Sequence, residues 1–154
     1  MINAHLKRRF MQEFESECLS LPGIQRVEFF GSFNTDNWKH GISDIDISIY
    51  GENISGDTKY QVIQILRRLN NKYGLMLENV RCAHPTPFFL DSPVRIQLFQ
   101  QLMKGHSEII ELGRNFMKQN AHTYRDVWAS EDSVKVFENA LPVPRFSELF
   151  DKFR

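Results

Sequence analysis

The sequence predicts an α/β domain of the mixed (α+β) kind: a small mixed β-sheet near the start, flanking helices, and a helical C-terminal third. Three observations point there. Leu6, Phe10, Phe14 and Cys18 recur every fourth residue between charged neighbours, the spacing of one helix face. Asp44-Ile45-Asp46-Ile47-Ser48-Ile49-Tyr50 alternates polar and apolar without a break, the spacing of a strand with one buried face. Val62, Ile65, Leu66, Leu69 and Tyr73 then return to helical spacing. With 154 residues, 42% of them apolar and thirteen Phe, the chain has enough apolar surface for one compact core.

The elements follow in order. A helix covers about 3–20 and stops at Pro22-Gly23. Val27-Glu28-Phe29-Phe30 reads as a short strand running directly into Gly31-Ser32. Phe33 to Ile42 is polar and rich in Asn, Asp and Gly, so it reads as a loop with a helical turn at its start. The alternating strand runs from Asp44 to Tyr50, and Gly51 closes it. Ser55 can cap the next helix, which Gly74 ends. Leu75 to Val80 is expected as a third strand, and Cys82 to Asp91, with two prolines, as a loop. Ser92-Pro93 combines a capping hydroxyl with proline in the first turn, starting a helix that carries Ile96, Phe99, Leu102 and Met103 to about Lys104. Further helices are expected over 106–128 and 131–140, with Pro142 and Pro144 preceding a short apolar tail, Phe146 to Phe153. Residues 1–105 would form the core unit, and 106–154 would be a helical extension of the same domain, since no flexible linker divides them.

Composition narrows the function classes. Lys plus Arg equals Asp plus Glu, at 19 each, so a strongly basic nucleic-acid surface is not implied. Cys18 falls on the apolar stripe of the first helix and reads as a small core hydrophobe; with Cys82 far away and no CxxC spacing, no structural disulfide is expected. No apolar run approaches the ~20 residues of a membrane span, and the basic N-terminus has no apolar signal-peptide core, so a cytoplasmic location with no membrane partner is expected.

One stretch carries chemistry. Residues two apart on a strand project from the same face, so Asp44 and Asp46 present adjacent carboxylates. Adjacent carboxylates repel unless a cation lies between them, and hard ions such as Mg²⁺ bind through one or two carboxylates plus substrate phosphates. Gly31 allows a phosphate to approach the backbone closely, and the Ser32 hydroxyl is a further donor. Taken alone, each half is bland: two aspartates on an edge strand are common, and Gly-Ser is usually an ordinary turn. Only their order gives them weight. The five histidines show no metal spacing; His40, Lys39 and Arg81 are candidates for substrate contact but read more simply as solvated surface. Phe88, Phe89 and Trp128 read as core or interface, not as base-stacking platforms. A Gly-Lys-Ser/Thr phosphate loop is absent, which disfavours P-loop chemistry.

The run FFGSFNTDNWKHGISDIDISIYG resembles the polymerase β-like nucleotidyltransferase superfamily, and the small size resembles its minimal members. That resemblance implies the nucleotidyltransferase fold and transfer of a nucleoside monophosphate from an NTP, ATP included, to a hydroxyl acceptor with release of pyrophosphate. It implies Mg²⁺ or Mn²⁺ held by Asp44 and Asp46, with Gly31 and Ser32 on the β and γ phosphates. The superfamily's third carboxylate is usually an Asp on the third strand; here Glu78 is the acidic residue on that stretch, expected as a metal ligand and catalytic group, with Asp91 as the alternative. The acceptor would be a small molecule or a protein. Small proteins resembling this family also serve as antitoxins that bind or modify a partner toxin. A non-catalytic nucleotide-binding member is the remaining alternative.

Overall fold

A computed structural model describes residues 2–82, 86–104, 122–131 and 133–138 of the chain. Helix α1 spans Ala4–Leu19, with the Asn3 side chain accepting from the Leu6 amide at 2.9 Å as its N-cap. Strand β1 (Ile24–Phe30) leads without a gap into a single 3₁₀ turn, Gly31–Asn34. Strand β2 is Asp46–Gly51. Helix α2 (Gly56–Tyr73) is capped by the Ser55 hydroxyl and closed by Gly74 in the left-handed conformation, as the sequence predicts. A second 3₁₀ turn, Leu77–Asn79, precedes the two-residue β3 (Arg81–Cys82). Then come β4 (Phe88–Leu90), α3 (Pro93–Met103), β5 (His122–Thr123), α4 (Tyr124–Ala129) and α5 (Ser133–Glu138).

The main sheet has the order β1-β2-β4. β1 and β2 are antiparallel with Phe30 opposite Asp46 and Glu28 opposite Ser48. β2 and β4 are parallel, with Ser48 opposite Phe88 and Tyr50 opposite Leu90. Alternation therefore divides the sheet into two faces. On the back, Ile45, Ile47 and Ile49 are wholly buried with Phe10, Phe14 and Cys18 of α1 and Val62, Ile63, Leu66 and Leu69 of α2. Burying a large apolar side chain contributes about 1.5–3 kcal/mol, so this face supplies most of the stability. On the front, Phe88, Leu90 and Phe99 form a smaller cluster with Phe30, Tyr50, Ile96 and Leu102 beneath α3. The Cys18 thiol is buried and free, and burial pushes its pKa up to about 12, so it is an inert core residue.

Three elements differ from expectation. Leu75–Val80 is not a strand: Met76 adopts a left-handed conformation, and the Asn70 side chain accepts from the Leu77 amide and donates to Glu78, folding the segment into the second 3₁₀ turn. The third strand of the main sheet is instead Phe88–Leu90, inside the proline-containing segment expected to be a loop. The continuous helix expected to reach 128 is also interrupted. His122–Thr123 pairs with β3 in a separate two-stranded sheet, and Thr123 and Asp126 form a reciprocal capping box that starts α4. The expectations for 105–121 and for the tail beyond 138 lie outside the described residues. Among the described residues no helix is long and apolar enough to cross a membrane.

Candidate active site

The open end of the β1–β2 hairpin brings the two halves of the motif together. Because Phe30 pairs with Asp46, the chain leaving β1 must turn directly beside the start of β2. Gly31 makes that turn at φ +71°, and a β-carbon there would collide with the Asp46 carboxylate, whose Cγ would lie 3.1 Å away. Glycine is thus favoured by its backbone angle, and it leaves free the space into which the end of the Asp46 side chain points. The turn is fixed by its own bonds. Thr35 donates to the Ser32 carbonyl through both its amide (2.9 Å) and its hydroxyl (2.8 Å), and the Asn34 side chain donates to the Phe29 carbonyl at 2.8 Å.

Asp44 lies just before β2 rather than on it. Its carbonyl accepts from the Trp38 indole at 2.9 Å, and Trp38 is buried against Phe33. The loop between Gly31-Ser32 and Asp44 is therefore anchored at its middle. His40 extends the anchor: it stacks on Trp38 and its Nε2 lies 2.6 Å from the Gly74 carbonyl. His40 latches the loop to the end of α2. Lys39 and Arg81 are exposed.

The electrostatics are those of a crowded acidic pair. Asp46 is pushed up to about 7, chiefly by burial and further by the nearby Asp44 carboxylate. A half-buried carboxyl next to a second one resists ionisation, and a divalent cation beside them would favour the charged form of both. The oxygen donor set, the adjacency and the raised Asp46 all fit Mg²⁺ or Mn²⁺.

Glu78 is placed differently. On the second 3₁₀ turn it accepts from the Asn70 side chain at 2.8 Å, and its pKa is lowered by that bond first, then by a backbone bond and the Arg125 charge. It faces a cavity of about 320 Å³ shared with Arg67, Asn71, Arg125, Trp128 and Ala129. Among the described residues no three His, Cys, Asp or Glu side chains gather where they could hold a metal, so neither Glu78 nor Asp91 joins the aspartate pair. Asp91, one residue beyond β4, instead binds Lys59 at 2.9 Å and Arg95 at 3.6 Å. Phe88 and Phe89 are buried in the two clusters, and Trp128 packs against the larger one.

Sequence reasoning missed Trp38, whose donation to the Asp44 carbonyl has no local signature beyond an apolar ring in a polar loop. Lys7 was missed too: its ammonium reaches the Phe33 and Thr35 carbonyls from α1.

No curated protein and no solved structure matches the chain. A family model does: residues 11–79 match the nucleotidyltransferase domain, a span that includes β1, the Gly31–Ser32 turn, both aspartates, α2 and Glu78, and excludes Lys7, β4 and Asp91. The match over residues 11–79 is consistent with a minimal nucleotidyltransferase of the polymerase β-like superfamily.

Proposed function

We propose that Asp44 and Asp46 hold Mg²⁺ or Mn²⁺ against the phosphates of a nucleoside triphosphate, and that the protein transfers the nucleoside monophosphate to a hydroxyl acceptor. The observation that carries this reading is the close approach of Gly31 to an Asp46 carboxyl whose pKa is raised to about 7. The glycine turn and the two aspartates share one end of one hairpin. When bound, the metal would neutralise charge developing on the phosphoryl oxygens. Gly31 would admit the β and γ phosphates to the backbone, and the Ser32 hydroxyl would donate to a phosphate oxygen. The acceptor hydroxyl oxygen would bond to the α-phosphorus as its proton passes to water, the bridge to the β-phosphate would break, and pyrophosphate would leave. Positioning and electrostatics supply most of the acceleration in such transfers.

A second reading is binding without transfer, and the placement of Glu78 favours it, since the superfamily's third carboxylate is not met there. Incubation with the four NTPs, radiolabelled at the α-phosphate, against small-molecule and protein acceptors separates the two. Metal-dependent labelling of an acceptor is expected. Tight NTP binding with no labelled product would install the binding-only reading. Equal NTP affinity in EDTA and in Mg²⁺ would remove the metal from both.

A further inference from the structure

Lys7 lies outside the span that matches the family model, on the first turns of α1, yet its ammonium is directed at the phosphate-side turn. It donates to the carbonyls of Phe33 (3.4 Å) and Thr35 (3.2 Å). Phe33 lies within the Gly31–Asn34 turn, and Thr35 directly follows it. The same ammonium stands 5.3 Å from the centre of the Phe33 ring and 5.0 Å from that of Trp38. One cation therefore meets two carbonyls and two ring faces, all belonging to the segment that joins Ser32 to Asp44. Such an arrangement exceeds what a solvated surface lysine needs, because each contact restricts a side chain that is otherwise free to move.

We propose that Lys7 is a positioning residue: it clamps the Gly31–Ser32 turn from behind in the conformation that receives the β and γ phosphates. This rests on the nucleotide site described above. The clamp acts on the backbone rather than on substrate. Ser32 and Phe33 are adjacent, Thr35 bonds the Ser32 carbonyl, and Trp38 bonds the Asp44 carbonyl, so a shift of the clamped segment moves both the turn and the approach to the aspartates. Ligands that carry β and γ phosphates depend on that segment; a monophosphate depends on it far less.

The test uses the full chain with Lys7→Met, which keeps the apolar stem over the rings, and Lys7→Arg, which keeps the charge and donors. Calorimetry with Mg²⁺-NTP and Mg²⁺-NMP is paired with hydrogen exchange of amides 31–37 in nucleotide-free protein. Lys7→Met should weaken NTP binding about tenfold, the scale of hydrogen bonds from a charged donor, while NMP binding changes less than about twofold. Exchange in 31–37 should rise, and Lys7→Arg should restore most of both. NTP affinity unchanged in Lys7→Met, or NTP and NMP affinity falling together with no rescue by arginine, would overturn the proposal. If the wild-type protein binds no NTP, the nucleotide reading fails separately, and unchanged exchange in Lys7→Met would then overturn the clamp as well.

Discussion

Two acidic sites in this chain are opposites. At the hairpin end, burial and a neighbouring carboxylate raise Asp46. On the second 3₁₀ turn, the Asn70 amide, a backbone donor and Arg125 lower Glu78. Glu78 is a carboxylate the protein has already satisfied, whereas the aspartates make up a pair whose full ionisation the fold opposes. The difference teaches that acidity at the expected place in a sequence is a weaker sign of metal chemistry than the environment around it.

The comparison breaks most decisively by substitution at the pair. Asp44→Asn and Asp46→Asn should each lower transfer by on the order of 10²–10³-fold, the scale of losing preorganised charge stabilisation. Both variants should melt, without metal, at or above the wild-type temperature, because removing one charge relieves repulsion. A marked drop in melting temperature in both would make the pair structural and erase the contrast with Glu78.

Next in size is Gly31→Ala. A left-handed backbone costs a residue with a side chain about 1–2 kcal/mol, and here the added methyl also displaces the Asp46 carboxylate. Metal-dependent NTP binding should be lost with the rest of the fold retained, read by calorimetry beside circular dichroism. Normal binding would show that the turn and the pair are independent.

The two sites should also answer pH with opposite signs. Asp46 keeps its proton to about pH 7 in the folded protein against an ordinary value of 3.8, so the folded state holds more protons over that range. Metal-free stability should therefore fall as pH rises from about 4 to 7, and Asp46→Asn should remove that slope. Mg²⁺ affinity should in turn weaken below about pH 7 as the proton competes. Glu78, lowered from 4.5, contributes stability that is present above that value and lost as pH falls through its folded value. Urea titrations across pH, in wild type and Asp46→Asn, check both arms.

The smallest effect is expected from Glu78→Ala. Losing its bond with Asn70 should cost about 0.5–1.5 kcal/mol, and turnover per folded molecule should stay within about twofold. A hundredfold loss of turnover with unchanged stability would restore Glu78 to the chemistry.

The sequence carried the hairpin because its signals are local. Period-2 alternation around Ile45, Ile47 and Ile49 and the Gly-Ser after Phe30 define both strands and the turn between them. The capped helices were equally plain, Ser55 with Gly74 and Ser92 with Pro93 each marking an end. The third strand was misplaced for a physical reason. Leu75–Val80 is apolar enough for a strand, but Asn70, a residue of the previous helix, binds both Leu77 and Glu78 and curls the segment. Phe88–Leu90 pairs parallel with β2 across a long connection, and such a buried strand reads as a bare apolar run beside prolines. Its chemistry follows from that position. Phe88, across from Ser48, lies in the front cluster and has no carboxylate to offer.

The overlap between Gly31 and Asp46 has a consequence for how this site can change over generations. The two positions are mutually epistatic: any side chain at 31 meets the carboxylate at 46, and shortening residue 46 removes the collision while leaving only the backbone strain. Selection that keeps the aspartate in this orientation therefore also favours the glycine. A descendant that abandoned metal chemistry would be released from the carboxylate contact, and restoring the aspartate beside a larger residue at 31 would oblige the carboxylate to turn aside from its present position.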